Sequence, residues 1–263
     1  MVLLTALNIQ ESGEGPNLVL VHGWAMNNLV WNNWLALLEQ SFRVICVELP
    51  GHGNSKYNEP WQMSDLLEMM AAQLPQQCSF LGWSLGGLVA LAYADHFPKR
   101  VNRLVMLAST PKFVQSADWQ PAQSKAVFDV FSNHLKRKPL PTMKRFVKLQ
   151  TDGGEPSQTI ERFLKSVLQV RSETSTKGLI SGLDILSQAD YRLALKKLNC
   201  PTMLLLGEKD QLVPVEVADE FAQINPRVAV CVIEGATHVP FLSHPNEVSQ
   251  ELVRFMSAGD REL

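Results

Sequence analysis

The chain has 263 residues, of which 46% are hydrophobic, and a formal net charge of −2. This length suits one α/β domain with an insertion or two small domains, and either can bury a sizeable core. The near-neutral charge argues against a surface built for nucleic acid or for an anionic membrane.

The first apolar run, residues 1–8, has no cationic flank, and Gln10 and Glu11 end it too early for a signal peptide. Further along the chain, no apolar stretch approaches the roughly 18 residues that a transmembrane helix needs. We therefore expect a cytoplasmic protein that does not bind membranes.

Apolar runs that are typical of strands recur along the chain, at residues 18–21, 44–47, 104–107, 203–206 and 228–233. They are continuous rather than alternating, as in strands buried on both faces of a parallel sheet. Helical patterns lie between them, at residues 64–74, 85–96 and 215–224. This alternation predicts an α/β fold with a mostly parallel sheet flanked by helices.

The alternation breaks between residues 112 and 187, where helical patterns occur without a convincing strand. These patterns cover residues 124–136, 142–150 and 159–170. The segment carries 12 basic and 7 acidic residues, whereas the rest of the chain carries 12 basic and 19 acidic residues. The sequence therefore predicts a basic helical cap at residues 112–187, inserted into a core of residues 1–111 and 188–263.

One serine lies between glycines directly after a short apolar run. The segment Gly82-Trp83-Ser84-Leu85-Gly86 matches G-x-S-x-G, in which a strand turns sharply into a helix and exposes the serine hydroxyl. An apolar helical pattern follows, so the context fits the motif. The alternative is a serine that only caps an ordinary helix. We interpret Ser84 as a nucleophile.

A serine hydroxyl needs a base that takes its proton, and the base needs a carboxylate that orients it. His238 follows the strand predicted at residues 228–233, at the sheet end where α/β proteins bind ligands. His244 lies nearby, but Ser243 or His244 itself is placed to cap a helix. We interpret His238 as the base and His244 as a structural residue.

Several carboxylates compete to orient this base. Asp210 lies in the loop after the strand predicted at residues 203–206, and Glu208, closer to the strand end, is its main rival. Asp184 and Asp190 lie in or beside the insertion. The order serine, aspartate, histidine along the chain is the order of α/β-hydrolases, and it favours Asp210.

The oxyanion of a tetrahedral intermediate needs preorganised N–H donors. Leu85 supplies one backbone donor, because it follows the nucleophile. The segment His22-Gly23-Trp24 follows the first predicted strand, and we expect the Trp24 N–H to supply the second donor. His22 is expected to orient this loop rather than exchange protons. The alternatives are an ordinary core tryptophan and a satisfied turn histidine.

Two patterns invite a cofactor or metal interpretation and do not support one. The segment Pro50-Gly51-His52-Gly53-Asn54-Ser55 lacks the Lys-Ser/Thr ending of a P-loop and does not match G-x-G-x-x-G. His22 and His52 have no third ligand at metal-site spacing. The four cysteines are widely spaced and are expected to be buried free thiols: Cys46, Cys78, Cys200 and Cys231. We expect neither a cofactor nor a metal.

Taken together, these motifs resemble the α/β-hydrolase superfamily over nearly the whole chain. The resemblance also rests on the segments Leu49-Pro50-Gly51-His52-Gly53 and His238-Val239-Pro240-Phe241. Within the superfamily, the chain is most similar to the pimeloyl-acyl-carrier-protein methyl ester carboxylesterases of biotin synthesis. Trp24, Trp83 and the cap segment of residues 145–150 carry this closer resemblance.

The resemblance implies a serine esterase that hydrolyses the methyl ester on a pimeloyl chain carried by acyl-carrier protein. It also implies a set of substrate-binding residues: Trp24, Ser84, Leu85, Phe146, Val147, Lys148, Leu149, Gln150 and His238. Basic cap residues contact the carrier in this family, and two such positions are kept, as Arg145 and Arg162. Two further positions depart from the family, since Pro141 and Gln158 occupy them.

Other functions stay open at this point. A generic short-chain carboxylesterase and a carbon–carbon bond hydrolase would use the same three residues. A binding module that retained the fold is a third alternative, against which the complete triad argues. Dehalogenases and epoxide hydrolases would carry aspartate in place of Ser84. The expected protein is a monomer whose partner is acyl-carrier protein.

Overall fold

The computed structural model describes residues 7–55, 59–154, 156–169 and 175–258. Residues 1–6 of the first apolar run, and Val170 at the end of the last predicted cap helix, lie outside this range. Seven strands form one sheet: β1 (Ile9–Ser12), β2 (Asn17–Val21), β3 (Arg43–Val47), β4 (Cys78–Trp83), β5 (Val101–Leu107), β6 (Thr202–Gly207) and β7 (Ala229–Ile233). Their order in the sheet is β1-β3-β2-β4-β5-β6-β7.

Helices connect and cover the strands: α1 (Asn32–Leu38), α2 (Met63–Gln73), α3 (Leu85–His96), α4 (Lys125–Arg137), α5 (Pro139–Thr151), α6 (Ser157–Gln169), α7 (Thr176–Gln188), α8 (Arg192–Lys197), α9 (Val217–Ile224), α10 (Pro240–Ser243) and α11 (Pro245–Ser257). Apart from β1, which is antiparallel to β3, neighbouring strands pair in parallel. The predicted α/β fold is confirmed.

The continuous apolar runs form the centre of the sheet. All six residues of β6 are buried, as are the last four residues of β2 and of β3. Helix α3 packs against β4 and β5 and buries ten of its twelve residues. Such a helix has no polar face, because both its sides contact protein. This buried helix supports the segment that carries Ser84.

Of the five described helices that lie in the chain between β5 and β6, four, α4 to α7, are found where the sequence predicts the cap. The two ends of this insertion meet in a cluster of ion pairs. Arg192 contacts Asp118 at 3.0 Å and Asp190 at 2.7 Å, and Lys112 contacts Asp190 at 3.0 Å. Hydrogen bonding to Arg192 holds the pKa of Asp190 well below its usual range. The boundaries at 112 and 187 stay a prediction.

The sequence prediction lacks one strand, β1, and four helices, α1, α7, α8 and α10. Strand β1 is a half-exposed edge strand in which Gln10 and Glu11 interrupt the apolar pattern. Helix α7 contains Gly178 and Gly182, which lower helix propensity. A Cβ on Gly178 would lie 2.7 Å from the Gly51 Cα, so the glycine lets the helix approach the core closely.

The four cysteines are free thiols, as predicted. The expected burial is correct for Cys46 and Cys78 but wrong for Cys200 and Cys231, which are half-buried. Cys200 precedes β6 in a loop, and Cys231 lies on the edge strand β7. Sequence around these two thiols does not distinguish an edge strand from a central one.

Candidate active site

Ser84 lies at the turn between β4 and α3, with φ 56° and ψ −118°. Such a conformation costs free energy for a residue with a Cβ, so the surrounding structure must impose it. Two hydrogen bonds hold its backbone: the Ser84 N–H donates to the Leu107 carbonyl at 2.9 Å, and Ser109 Oγ donates to the Ser84 carbonyl at 2.7 Å. The predicted strand-to-helix turn is therefore present.

The two glycines of the motif allow this turn to pack. A Cβ on Gly82 would lie 2.1 Å from the Gly86 carbonyl oxygen, and a Cβ on Gly86 would lie 2.0 Å from the Val21 carbonyl oxygen. Contacts this short are impossible, so any side chain at either position would force the backbone apart. The spacing of the motif thus follows from the close approach of α3 to β2 and β4.

His238 and Asp210 form a buried hydrogen-bonded pair. The His238 Nδ1–H donates to Asp210 Oδ2 at 2.7 Å, and both side chains are inaccessible to solvent. The other carboxylate oxygen, Oδ1, accepts from the backbone N–H groups of Leu212 at 2.8 Å and Val213 at 3.0 Å. Because an ionised carboxylate only accepts, it selects the tautomer in which Nε2 is free to take a proton.

The remaining ring nitrogen of His238 is buried, and no described residue hydrogen-bonds to it. The Trp83 indole N–H donates to the His238 carbonyl at 2.8 Å and fixes the loop that carries the ring. A buried polar atom without a partner is uncommon and calls for an explanation. A proton acceptor that waits for a substrate or a serine hydroxyl provides one.

The rival residues lie elsewhere. Glu208 is exposed and accepts from the Gly235 N–H at 2.8 Å, and Asp184 is exposed on α7. Asp190 belongs to the ion-pair cluster at the ends of the cap. His244 contacts Ser243 Oγ at 2.8 Å at the start of α11, in the structural position predicted for it. Of the four carboxylates considered, only Asp210 contacts His238.

The two predicted oxyanion donors are the backbone N–H groups of Trp24 and Leu85. Leu85 is the first residue of α3, so its N–H belongs to the group that has no partner within the helix. Trp24 follows β2, and Ala25 beside it has φ 64°. Within the described chain, neither the Trp24 nor the Leu85 N–H donates to a protein acceptor. Both donors are therefore available to a ligand.

His22 connects two loops and does not act as an exposed base. Its Nδ1 contacts the Gly23 carbonyl at 2.8 Å, and its Nε2 accepts from the Leu49 N–H at 3.1 Å. Burial lowers the pKa of His22 to about 4, which keeps the ring neutral near pH 7. This geometry supports the predicted role of His22 in orienting the loop before Trp24.

A cavity of about 90 Å³ opens at Ser84 and is lined almost entirely by apolar side chains. The core contributes Trp24 and Leu212 to its wall. The cap contributes the rest of its apolar lining: Phe113, Val127, Phe128, Phe131, Phe146, Leu149, Leu183 and Leu186. Besides Ser84, the one polar residue in the lining is Gln123. An apolar acyl chain fits this wall, with its reacting carbonyl at the serine.

Trp24 joins the core to the cap at this cavity. Its ring lies edge-on to Phe131, with centroids 5.5 Å apart, and to Phe146, at 5.1 Å. Its indole N–H donates to the Leu179 carbonyl at 2.8 Å. Trp24 is thus both a buried aromatic and a wall of the cavity, so the two sequence interpretations of this residue are compatible.

The predicted cap segment divides between three surroundings. Phe146 and Leu149 line the cavity, whereas Val147 is buried behind them and Lys148 is exposed. Gln150 is fully buried, and neither its amide oxygen nor its nitrogen has a hydrogen-bond partner among the described residues. The five consecutive positions therefore do not form one binding surface.

Sequence reasoning missed eight of the twelve residues that line the cavity. Phe128 and Phe131 on α4, and Leu183 and Leu186 on α7, contact the cavity. On both helices the pairs are three residues apart, so they share a face. On α4, which the sequence predicts as a helix, this spacing could have identified the two phenylalanines. On α7 it could not, because the glycines of that segment prevented the prediction of a helix.

In the described part of the chain, no group of three or more His, Cys, Asp or Glu side chains is placed to hold a metal ion. In the same ranges, no helix is long and apolar enough to cross a membrane.

Comparison with known proteins agrees with this geometry. The α/β-hydrolase fold family matches residues 16–245. A relative from Aliivibrio salmonicida is 37% identical over 262 residues, which cover 99% of this chain and all of the relative. Another from Nitrosospira multiformis is 35% identical over 257 residues, covering 95% and 98%. Both are named pimeloyl-[acyl-carrier protein] methyl ester esterase.

Solved structures show the same fold at lower identity. An esterase from Exiguobacterium antarcticum has a TM-score of 0.86 at 24% identity, over 96% of both chains. A bromoperoxidase from Bacillus anthracis has the same TM-score and identity, over 96% of this chain and 95% of its own. The family that the sequence motifs resemble is confirmed. The chain belongs to the α/β-hydrolase family and is a carboxylic ester hydrolase.

Proposed function

We propose that this protein hydrolyses the methyl ester of a pimeloyl chain carried by acyl-carrier protein, in biotin synthesis. The observation that carries the proposal is the apolar cavity that opens at Ser84 under a basic cap. The names of the two relatives supply the substrate class. A cytoplasmic location and a monomeric state stay predictions.

In the first half of the reaction, Ser84 Oγ attacks the ester carbonyl while His238 Nε2 takes the serine proton. The carbonyl oxygen becomes an oxyanion, which accepts hydrogen bonds from the N–H groups of Trp24 and Leu85. Collapse of this intermediate breaks the bond to the methoxy oxygen. The His238 imidazolium returns the proton to that oxygen, so methanol leaves and an acyl-enzyme on Ser84 remains.

In the second half, water attacks the acyl-enzyme carbonyl and His238 takes a proton from it. The same two N–H donors stabilise the second oxyanion. Collapse breaks the bond to Ser84 Oγ, which regains its proton from His238, and the free distal carboxyl group leaves. Asp210 orients the ring and stabilises the imidazolium in both halves, as its 2.7 Å hydrogen bond to Nδ1 allows.

The proposed contacts with the carrier lie on the outside of the cap. Arg145 on α5 and Arg162 on α6 are exposed. Acyl-carrier proteins are acidic, so exposed cations attract them and raise the rate of encounter. Pro141 and Gln158 offer no charge at the two positions that depart from the family.

A substrate series tests the proposal. The purified protein is assayed with pimeloyl-carrier methyl ester, free pimelate monomethyl ester and p-nitrophenyl butyrate, with Ser84→Ala as the inactive control. We expect kcat/KM for the carrier-linked ester to exceed that for the free ester by at least tenfold. Equal values for all three substrates would contradict the proposal and identify a generic esterase.

The generic short-chain esterase is the second candidate. The cavity of about 90 Å³ holds only a short apolar chain, and any such acyl group satisfies its wall. The substrate series separates the candidates, because a generic enzyme gains nothing from the carrier.

A further inference from the structure

We infer that the seam between α4 and α5 binds the prosthetic arm of the carrier, and that cations at the turn between these helices hold its phosphate. The inference rests on the proposed function, because it requires a carrier-linked substrate. Acyl-carrier proteins hold the acyl group on a phosphopantetheine arm, which is attached to the protein through a phosphodiester. The arm therefore presents an anion at one end and an amide-linked chain toward the ester.

A groove of about 370 Å³ runs along this seam on the outer side of the cap. Val130, Phe131 and Leu149 form part of its lining. Val127 is 60% exposed and Val130 is 56% exposed, which is unusual for valines that face the same side of one helix. Neighbouring exposed apolar side chains of this kind mark a surface that another molecule covers.

The groove adjoins the cavity at Ser84. Val127, Phe131 and Leu149 line both spaces, so these three side chains lie between them. The groove extends along α4 from Ala126 to His134, which corresponds to about 12 Å of helix. An acyl chain that passes between these side chains would place its arm in a groove that is long enough for much of it.

Cations surround the far end of the groove. His134, Thr142 and Arg145 line it there, beside the turn that joins α4 to α5. That turn carries three consecutive basic residues, Lys136-Arg137-Lys138, all of them exposed. A phosphodiester at this end would meet a guanidinium and several ammonium groups, which are the groups that bind phosphate best in proteins.

Six cations of α4, α5 and the turn between them have no carboxylate partner among the described residues: Lys136, Arg137, Lys138, Lys144, Arg145 and Lys148. Arg162 on α6 is the one further cap cation of the described residues without such a partner. By contrast, Lys125 pairs with Asp129, Lys165 with Glu161, and Lys177 with Glu59. A cluster of uncompensated cations repels itself, and an anionic partner relieves that repulsion. The unpaired charge is concentrated where the arm would end.

The basic turn also compensates for the charge that is missing at position 141. Pro141 lies in the first turn of α5, three residues after Lys138. Charge lost at 141 is thus replaced at the preceding turn, on the same end of the same helix pair. Arg162 on α6 instead donates hydrogen bonds to Gln158 and Thr159 of its own helix.

Two variants test the two halves of the inference. Val130→Glu places a charge on the apolar part of the groove, and the double substitution Arg137→Glu with Lys138→Glu reverses the charge of the turn. These residues are exposed, so folding should tolerate the changes. Lys177→Glu, on α7 and outside the lining of the groove, is the control for charge reversal. Circular dichroism and activity on p-nitrophenyl butyrate check that each variant is intact.

Each variant is assayed with four forms of the pimeloyl methyl ester. Three are linked to an arm: the carrier-linked ester, the phosphopantetheine ester without the carrier protein, and the pantetheine ester, which lacks the phosphate. The fourth is the free ester, which has no arm. We expect Val130→Glu to lower kcat/KM at least tenfold for the three arm-linked esters and to spare the free ester. The double variant should lower it at least tenfold for the two phosphate-bearing esters and spare the pantetheine ester. Lys177→Glu should change none of these values by more than twofold.

The outcomes separate this inference from the proposed function. If the wild-type protein prefers the carrier-linked ester but both variants keep that preference, the seam is not the arm site and the inference is wrong. If only the carrier-linked ester responds, the cations bind the carrier surface and not the arm, which also overturns it. If the wild-type protein gains nothing from the carrier, the proposed function itself fails.

Discussion

The core side and the cap side of the active site are built on different principles. On the core side, backbone hydrogen bonds, glycine contacts and a buried side-chain hydrogen bond hold Ser84, Asp210 and His238. On the cap side, the cavity wall consists of apolar side chains from α4, α5 and α7, without a hydrogen bond from any of them into the cavity. The core positions the reacting atoms, and the cap supplies an apolar wall for the substrate.

From this difference we expect the core residues to determine the rate of the chemical step and the cap residues to determine the preference between substrates. A small displacement of a catalytic group lowers the rate by orders of magnitude, because transition-state stabilisation depends on alignment. An apolar wall discriminates only by contact area, which is worth about 1–3 kcal/mol for a methylene group or two. Substitutions on the two sides should therefore differ in size and in the kinetic constant that changes.

The largest effect is expected on the core side. Ser84→Ala and His238→Ala should each lose most of kcat, and the double variant should be little worse than either single variant, since the residues act as a unit. Steady-state kinetics on p-nitrophenyl butyrate and on the carrier-linked ester measures this. Retention of half the activity by Ser84→Ala would rule out the mechanism.

Asp210→Asn should lower kcat by on the order of 10⁴ near pH 7, because an amide no longer selects the tautomer that leaves Nε2 free. Glu208→Gln is the matched control and should keep nearly full kcat, since Glu208 contacts the Gly235 backbone and not His238. Equal losses would leave both carboxylates as candidates, and the reverse ranking would transfer the role to Glu208.

A pH effect on stability should arise from His22. Burial lowers its pKa from 6.5 to about 4 in the folded protein, so the unfolded chain binds the extra proton first as the pH falls. The free energy of unfolding should therefore decrease from pH 6.5 down to pH 4, by on the order of 3 kcal/mol from this group. Below pH 4 both states are protonated and the contribution becomes constant.

Urea unfolding at a series of pH values measures this effect. His22→Gln removes the titrating group and is expected to be less stable than the wild type at pH 7.5, because the hydrogen bonds to Gly23 and Leu49 are disturbed. Its stability should nevertheless change less between pH 6.5 and pH 4. Parallel curves for the two proteins would show that His22 does not titrate in this range.

On the cap side, charge reversal at Arg145 and Arg162 should raise KM for the carrier-linked ester about tenfold and leave kcat within about twofold, since exposed charges act mainly on encounter. Added salt should have the same effect on the wild type, because screening shortens the reach of exposed charges to about 8 Å at physiological ionic strength. Hydrolysis of p-nitrophenyl butyrate is the control. If both substrates respond equally, the cap covers the active site but does not bind the carrier.

The smallest effect is expected at Gln150, the buried cap residue whose amide has no partner. Gln150→Met removes an unsatisfied polar group at nearly constant volume, and should raise the free energy of unfolding by about 1 kcal/mol. If the amide binds the substrate, as the family resemblance implies, KM for the carrier-linked ester should rise. A less stable variant would indicate a hydrogen bond that the described residues do not show.

The sequence predicts the core side far better than the cap side. Ser84 and its glycines form a local motif, and the parallel strands of the fold bring His238 to the same carboxyl end of the sheet. On the cap, the family resemblance implies binding roles for all of residues 146–150, whereas a helix turns consecutive residues in different directions, and of these five Phe146 and Leu149 line the cavity. Partners from α7 lie far along the chain, and no local pattern predicts such pairing.

The sequence by itself determined the fold class and predicted a nucleophile and its base, because continuous apolar runs, a glycine-flanked serine and a histidine after a strand are local features. Only the tertiary structure decided between Glu208 and Asp210, which lie two residues apart in the same loop. The backbone N–H groups of Leu212 and Val213 turn Asp210 toward His238. The tertiary structure likewise decided that the groove between α4 and α5 adjoins the cavity, because helix packing depends on contacts between residues distant in the chain.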